Sequence, residues 1–436
     1  MGLTGRRRGG RDVMTEHNGG RDRKEGRSTG GSGSATSGSG KAGLKDRIIR
    51  RIEDMKRQRR ARQAAAGLTG GTFSERLGAF FRMFRDILLW PIRRLRAFLA
   101  GKALWVRVVV AVVLAPIVAS WLYLIWHTAW IRDFDPDRAR EIIADTALKP
   151  AARGAPGAEG TEKTCGRSAI VAVVADLVDF NINRNLWLSA SPVYKFGLFG
   201  IPWSYTPVFD NKAAFQRGVM QAVIITAIEL ADTLGRVRGT SRQDADLRSA
   251  RAAVQVDPYR WIFNPFDERL PLVTSPATAD YRRAIARFHA FNDRLENCEA
   301  VFDARADNLL QFLDRVAKDI GATTARLRAR AEASNAGWFD FRADDTYWYA
   351  LGQLYGYHAI LQATRADFAD VVKARNVDDI WDNLESHLRF AVNLSPWIVS
   401  NGAEDGLLFP SHLTTLGFYA LRARANLVEI RSVLDR

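Results

Sequence analysis

The chain has 436 residues, with 63 Lys and Arg against 48 Asp and Glu, a net charge of +15 and only two cysteines. The histidines beyond residue 130 lack HExxH or any comparable ligand spacing, so we expect no metal site and no cofactor. GxSxG, P-loop and dinucleotide motifs are missing from the sequence, and two cysteines give little basis for nucleophilic catalysis.

Residues 1–44 are predicted to form a disordered basic tail. They are mostly Gly, Ser and Arg, with almost no large apolar side chains that could offset the entropy cost of ordering. Composition alone fits contact with anionic lipid or with nucleic acid. We expect the lipid of the inner leaflet, because basic tails that precede a membrane segment most often meet its surface.

Residues 45–104 are predicted to form basic amphipathic helices in the cytoplasm. Lys45 to Ala66 has apolar residues on one side and arginines toward its end, and Phe73 to Leu99 mixes large apolar residues with arginine throughout. Such a helix can lie in the plane of the lipid headgroups, and Pro91 is expected to divide it into two pieces. The alternative is a second span, which would place several arginines in hydrocarbon.

One transmembrane helix is predicted within residues 105–130. Val108 to Trp126 is an uncharged run of 19 residues, and at ~1.5 Å rise per residue it matches the ~30 Å hydrocarbon core of a bilayer. Pro116 is expected to kink it without breaking it. Aromatic side chains at both ends are expected to anchor the helix at the membrane interface: Trp105, Trp121, Trp126 and Trp130.

The charge distribution predicts the orientation of this helix. Residues 1–107 hold 26 Lys and Arg against 9 Asp and Glu, so all of the net positive charge precedes the apolar run. The positive-inside rule then places the N-terminus in the cytoplasm and the large C-terminal part outside it. In a bacterium with two membranes, this location is the periplasm.

Residues 131–166 are predicted to form a short membrane-proximal helix and a linker, and residues 167–436 an all-α domain. Asp210 or Asn211 is expected to cap the first domain helix, and Gly235 to end it in the left-handed conformation. Apolar residues recur at three- and four-residue spacing in six stretches: Ala213 to Gly235, Asp280 to Glu296, Ala304 to Ile320, Asp345 to Val372, Val377 to Leu394 and His412 to Leu434.

Cys165 and Cys298 are a candidate disulfide. In an oxidising compartment the bond would close a long loop, worth up to about 4 to 5 kcal/mol in the chain-entropy model. The alternative is two buried, unrelated thiols, and sequence cannot give their separation.

A first polar cluster contains Asp303, Arg305, Asp307 and Asn308. On a regular helix the two aspartates share a face at i,i+4, whereas Arg305 and Asp307 do not face each other. The two carboxylates are able to bind a cation or to serve as acid and base. We favour capping and ion pairs with Arg315 or Arg282 instead.

A second candidate cluster contains Asn401, Asp405 and His412, in a turn between two helices. It is either a functional pocket or a plain turn in which Ser411 or Ser400 caps the next helix. A third feature is the aromatic, non-helical segment from Trp187 to Tyr205. It is either a surface for glycan or lipid, or the layer that covers a helical core, which we favour.

Three stretches resemble a known bacterial family: Phe302 to Leu309, Asp344 to Asn376 with its Asp-Phe-Ala-Asp-Val-Val, and Ser395 to Leu434 with Pro-Trp-Ile-Val-Ser-Asn-Gly. The family is domain of unknown function 2333. Trp203 to Gly218 echoes it too, without the usual Trp before Asp-Asn. The resemblance covers most of residues 130–436 and implies a single-span inner-membrane protein of Gram-negative bacteria with a helical C-terminal domain. It carries no catalytic role.

The sequence therefore supports two hypotheses of function for the whole protein, besides a third in which the basic arm alone tethers nucleic acid. The first is a membrane-anchored scaffold that binds an envelope protein, a cell-wall component or a second copy of itself. The second is an enzyme acting on envelope glycans or lipids, with Asp303, Asp307, Asp405 and His412 as acid and base groups that must converge in one pocket.

Overall fold

The computed structural model describes residues 73–129, 131–147, 166–191, 194, 197, 203, 209–236, 243–263, 273–333, 340, 342–396, 398–402 and 410–436. Within these ranges there is no strand, and the isolated β-bridges are Phe263 with Val273 and Asn401 with Ser411. The all-α prediction is confirmed. The predicted tail, 1–44, and the predicted helix from Lys45 to Ala66 lie outside the described residues.

The helices are α1 (Phe73–Leu99), α2 (Leu104–Ala129), α3 (Arg138–Ala147), α4 (Ala169–Asp179), α5 (Asn211–Glu229), α6 (Ala245–Val254), α7 (Ala277–Glu296), α8 (Ala306–Ala333), α9 (Ala343–Asp367), α10 (Ala369–Ala374), α11 (Asp378–Val392) and α12 (His412–Leu434). Two π-helical turns, Phe180–Arg184 and Leu230–Leu234, extend α4 and α5.

The chain divides into two units between Val106 and Arg107, and α1 belongs to the first. It is one continuous helix of 27 residues, so the predicted break at Pro91 is wrong. A proline removes one main-chain hydrogen bond, and the remaining bonds of a long helix hold it together. Basic groups lie over aromatic rings at its end, with Arg94 5.4 Å from the ring of Trp90.

The apolar helix α2 contains the stretch Leu104–Thr128, which by length and composition is able to cross a membrane. This stretch has a mean hydropathy of 2.6 and is only 6% buried in the structure. Val112 and Leu122 are examples of its outward-facing side chains, at 67% and 62% exposed. Toward its end, however, Leu124 and Thr128 are buried, because the helical domain packs against the last turns.

The domain is built around α5 and α9, which run parallel in direct backbone contact. A side chain on Gly352 would begin 2.0 Å from the carbonyl oxygen of Phe215, and one on Gly218 would begin 2.0 Å from that of Tyr349. Nineteen of the 25 residues of α9 are buried, so neighbours cover this helix on all sides.

The other helices pack around this pair in two groups. Helix α12 packs against α8 and α11, whereas α7 packs against α4 and α6. Helix α9 touches members of both groups, and the apolar side chains of all of them form one continuous core.

The start of α4 is fastened by a buried carboxylate. Asp367, at the end of α9, accepts hydrogen bonds from the Ser168 hydroxyl at 2.6 Å and from the amides of Ala169 and Ile170 at 2.8 and 3.0 Å. It satisfies main-chain donors that a helix N-terminus leaves free. Asn292 of α7 exchanges two further hydrogen bonds with the Ser168 backbone.

Local predictions at the ends of α5 are wrong. Asp210 makes no side-chain capping hydrogen bond, and Gly235 has a φ of −93° and not a left-handed value. The helix instead continues into the π-helical turn, which closes with a bond from the Gly235 amide to the Leu230 carbonyl. Helix α4 escaped prediction because a short, Val-rich apolar run fits a buried strand as well as a helix.

Candidate functional site

The first predicted cluster fastens the start of α8. Arg305 Nε lies 2.7 Å from Asp303 Oδ1 and 3.8 Å from Asp307 Oδ1, and the Asn308 amide donates to the Asp303 carbonyl at 2.9 Å. The helix begins at Ala306, so Asp303 and Arg305 precede it and the i,i+4 geometry expected of the aspartates does not apply. Arg305 lies between the two carboxylates, and the expectation that it would not face Asp307 is wrong.

The partners expected for these aspartates are engaged elsewhere. Arg315 Nε lies 2.7 Å from Glu229 Oε1, and Arg282 Nε donates to Asn183 Oδ1 at 3.0 Å. The carboxylates of the cluster therefore pair with the guanidinium of Arg305, which is close to them in sequence.

The second predicted cluster joins two chain segments. Asn401 donates to the carbonyl of Arg330 at 3.2 Å and to Asp340 Oδ2 at 3.0 Å, and the Ser400 amide donates to His412 Nδ1 at 2.9 Å. Partial burial lowers the pKa of His412, so its ring is neutral at pH 7. Ser411 caps α12 by accepting from the Thr414 amide. Asp405 lies outside the described residues.

The structure does not bring these two clusters together. Asp307 lies in the first turn of α8, whereas Asn401 contacts Arg330 near its other end. At ~1.5 Å rise per residue, the two contacts are about 35 Å apart along the helix. Asp303 and Asp307 are thus far from His412, which the enzyme hypothesis places in one pocket with them.

Of the two cysteines, Cys298 is disulfide-bonded and Cys165 lies outside the described residues. The chain just after Cys165 lies at the same end of α7 as Cys298. Arg167 contacts Asp293 at 2.7 Å and Glu296 at 2.8 Å. This placement is consistent with the predicted pair, which stays a prediction.

The predicted anchor tryptophans take different positions. Trp105 and Trp126 are 70% and 60% exposed, Trp121 is partly buried, and Trp130 lies outside the described residues. Trp121 packs with its ring centroid 5.8 Å from that of Trp203, in the aromatic segment of the domain.

The aromatic segment contributes to this junction and to the core. Trp203 stacks on Tyr194 at 5.7 Å and shares a buried cluster with Leu124 of α2. Trp187 is 2% exposed and donates its indole N–H to the Pro258 carbonyl at 2.9 Å. Trp203 and Tyr194 therefore cover the domain where it meets the end of α2, whereas Trp187 is part of the main core.

Beside this junction lies a group of buried carboxyls that the sequence interpretation missed. Because α5 and α9 run parallel, their N-termini lie side by side, which brings Asp210 together with Asp344 and Asp345. Asp210 is 1% exposed, and neither of its carboxyl oxygens accepts a hydrogen bond from a donor in the described residues. The described residues contain no group of His, Cys, Asp and Glu that is suited to hold a metal ion.

Burial and mutual repulsion favour the neutral forms of these carboxyls. They raise the pKa of Asp210 to about 9, and burial raises that of Asp344 to about 7. Burial also raises the pKa of Asp345, against the opposing charge of Arg217, whose guanidinium lies 4.0 Å away. At neutral pH, Asp210 is therefore protonated and donates a hydrogen bond to Asp345.

Arg217 connects this pair to the aromatic junction. Its guanidinium lies 5.5 Å from the ring of Tyr259 and 3.5 Å from the Ser189 hydroxyl, and it acts electrostatically on Tyr194. The site therefore holds a shared proton, one cation and a stacked aromatic wall next to the last turns of α2. Perturbed carboxyls of this kind mark candidate functional sites.

A family described as "Uncharacterized protein conserved in bacteria (DUF2333)" matches residues 204–337 and 328–436. The chain belongs to this family. No curated protein and no solved structure matches the chain. The DUF2333 match includes Asp210, Arg217, Asp344 and Asp345, whereas α2 and Tyr194 precede it.

The sequence did contain a signal for the missed site. Phe209-Asp210-Asn211 and the stretch beginning at Asp344 both lie in the segments that resemble DUF2333. Their convergence follows from glycine spacing, because Gly352 and Gly356 of α9 lie one helical turn apart and allow α5 to approach. The spacing of Gly352 and Gly356 in α9, together with Gly218 in α5, was the usable indication.

Proposed function

We propose that this DUF2333 protein is a single-pass protein of the bacterial inner membrane whose helical domain lies in the periplasm and serves as an interaction module of the cell envelope. The observation that carries the proposal is the exposure of α2. Its stretch Leu104–Thr128 has a mean hydropathy of 2.6 and is 6% buried, a surface that water would not favour and lipid would cover.

The side of the membrane follows from charge. The excess of Lys and Arg precedes α2, which supports a cytoplasmic N-terminus. The disulfide bond of Cys298 supports the same orientation, because such bonds persist in the periplasm and are rare in the bacterial cytosol. In this proposal the basic arm contacts anionic lipids of the inner leaflet.

An interaction role agrees better with the site geometry than catalysis does. The acid and base groups named for an enzyme lie near opposite ends of α8 where they are described. On the domain surface, Phe390 of α11 is 58% exposed and stacks on Tyr419 of α12 at 5.9 Å. Exposed aromatic pairs of this kind are typical of protein contact sites. The proposed partner is an envelope protein or a second copy of this chain.

Topology is tested with reporter fusions in the full chain. We expect alkaline phosphatase fused after Arg436 to be active and green fluorescent protein at that position to be dark. Fusions made within the arm, before residue 73, are the matched control and should give the opposite pair of results. Fluorescence after Arg436 would place the domain in the cytoplasm and contradict the proposal.

The interaction role is tested by a photo-crosslinking amino acid at Phe390 in living cells. We expect a discrete adduct at this position and none at Asp379, an exposed residue at the start of the same helix. Absence of an adduct from Phe390 under conditions that confirm periplasmic topology would refute this surface as a contact site while leaving the membrane orientation intact.

A further inference from the structure

The described surface contains a long groove between α8 and α12 that neither the family nor the proposed function explains. Its cavity has a volume of about 780 Å³. The α8 wall extends from Gly321 to Glu332, which is about 16 Å at 1.5 Å rise per residue. This volume lies within the range of about 300 to 1,000 Å³ that is usual for sites of small organic ligands.

The walls of the groove are apolar. Phe418 and Leu421 border it and are 56% and 49% exposed, a degree that is costly for a helix surface in water. The hydroxyls along the walls are already used. Thr324 donates to the Ile320 carbonyl at 2.8 Å and Thr414 donates to the Ser411 hydroxyl at 3.0 Å, so both threonine hydroxyl protons are already engaged.

The floor of the groove is open at Gly417. A Cβ atom built on this residue meets nothing within 4 Å, although the residue lies inside α12. Glycine in a helix interior is unfavourable compared with alanine. The helix therefore tolerates a poor helix former where a side chain would enter the cavity.

One cation of the groove is available for a ligand. Arg328 pairs with Glu332 at 2.7 Å, whereas Arg424 makes no ion pair with any residue in the described ranges. The Arg424 side chain crosses Gly321, with its Nε 3.0 Å from the position of a Cβ atom there. An apolar channel with one free guanidinium matches a ligand that has an apolar chain and an anionic end.

We propose that this groove binds a single acyl chain with an anionic head group, the chain lying along Gly417, Phe418 and Leu421 and the head group on Arg424. A protein helix fits less well. With a diameter of about 10 Å, it would occupy roughly 1,300 Å³ over the same 16 Å, well above the volume of the cavity. Free fatty acids and acidic phospholipids both carry the proposed chemistry.

The test uses the full-length protein in phosphatidylcholine nanodiscs and a photoactivatable fatty acid with a diazirine in its chain. Peptide mapping by mass spectrometry then locates the adducts. We expect labelling of the α8 and α12 peptides that line the groove, reduced by excess dodecanoate and not by dodecanol. Labelling of the lipid-exposed part of α2 is the internal control, because it reports only partitioning into the bilayer.

Variants separate the chain site from the head-group site. Gly417→Leu fills the open floor, and we expect groove labelling to fall at least tenfold while α2 labelling is unchanged. Gly417→Ala is the smaller step and keeps the test valid if leucine perturbs folding, which circular dichroism will show. Arg424→Gln should weaken dodecanoate competition roughly tenfold. Arg422→Gln, on the same helix but outside the groove lining, should leave it unchanged.

Three results would overturn the proposal: α2 labels but the groove does not, groove labelling survives in both Gly417 variants, or dodecanoate competes equally well against Arg424→Gln. Competition from phosphatidylglycerol in the nanodisc would identify a phospholipid as the ligand, and its failure to compete would identify a free fatty acid. Both of these outcomes support the anionic acyl-chain site.

Discussion

Two acidic clusters of this protein contain the same residue types and behave in opposite ways. Around Asp303 and Asp307, the carboxylates meet an arginine that is close in sequence, and Asp307 is 56% exposed. Around Asp210, two neighbouring acids come from a helix more than 130 positions away, and burial holds a proton in the group. The first cluster stabilises the start of a helix. The second lowers the stability of the folded protein at neutral pH, because Asp210 must keep a proton there.

The difference lies in what assembles each cluster. Local chain geometry suffices for the first, because Arg305 is two positions from each aspartate. The second exists only because α5 and α9 touch through their backbones at Gly218 and Gly352. Four predictions use this contrast.

The largest effect is expected where the backbones touch. Gly352→Ala would place a Cβ 2.0 Å from the Phe215 carbonyl oxygen, which neither helix can avoid without moving apart. We expect a loss of about 4 kcal/mol or more in the free energy of unfolding. Gly417→Ala is the matched control, since its Cβ meets no atom within 4 Å. We expect this variant to gain up to about 1 kcal/mol in the free energy of unfolding. Thermal unfolding followed by circular dichroism measures both, and equal melting temperatures would show that the close contact is not formed.

The second effect is a pH dependence that belongs to the buried cluster. The pKa of Asp210 is about 9 in the folded protein against an ordinary value of 3.8, so the folded state keeps a proton that the unfolded chain releases. Stability contributed by this group is complete below about pH 4 and is lost as the pH rises toward 9, by ~1.4 kcal/mol per pH unit. Asp210→Asn keeps the neutral hydrogen bond and removes this loss.

We therefore expect Asp210→Asn to stabilise the protein by up to about 4 kcal/mol at pH 7 and to have no effect near pH 4. Unfolding by denaturant at a series of pH values gives the difference between the two proteins. A variant that is less stable than the wild type at pH 7 would mean that Asp210 is ionised in the folded state.

A smaller effect is expected from Arg217, the cation nearest to Asp345. Arg217→Met removes the charge that lowers the pKa of Asp345, so this carboxyl should titrate at higher pH and the folded state should lose about 1 to 2 kcal/mol at pH 7. Arg217→Lys keeps the charge and should recover part of the loss. The same denaturant series measures it, and identical behaviour of the two variants would assign the effect to packing and not to charge.

The smallest effect is expected at the exposed cluster. Asp303→Asn removes one partner of a surface ion pair whose arginine is solvent-accessible, so we expect a change of less than about 1 kcal/mol at any pH between 5 and 9. The measurement is the same as for Asp210→Asn, which makes the two variants a direct comparison. A steep pH dependence here would remove the contrast between the clusters.

The sequence predicts much of the fold and little of the site. Helix α12 begins and ends where its apolar spacing predicts, because one face is core and the period is visible. The same method fails for α4, whose short Val-rich run fits a strand as well as a helix, and it fails for Asp210. The glycines of α5 and α9 indicate that two helices approach closely, but they do not indicate that Asp210 and Asp345 become buried beside each other, since this depends on how the helices cross. Burial of a carboxyl is a tertiary property, and local patterns do not encode it.

The attachment of α2 to the domain has a mechanical consequence. Trp121, Leu124 and Thr128 lie on one side of three successive turns and all face the domain, and just beyond them Asn185 holds the backbone of Arg132 with two hydrogen bonds of 3.0 and 3.1 Å. These contacts oppose rotation of the domain about the axis of α2, so we expect the domain to turn and tilt together with this helix and to keep the same side toward it.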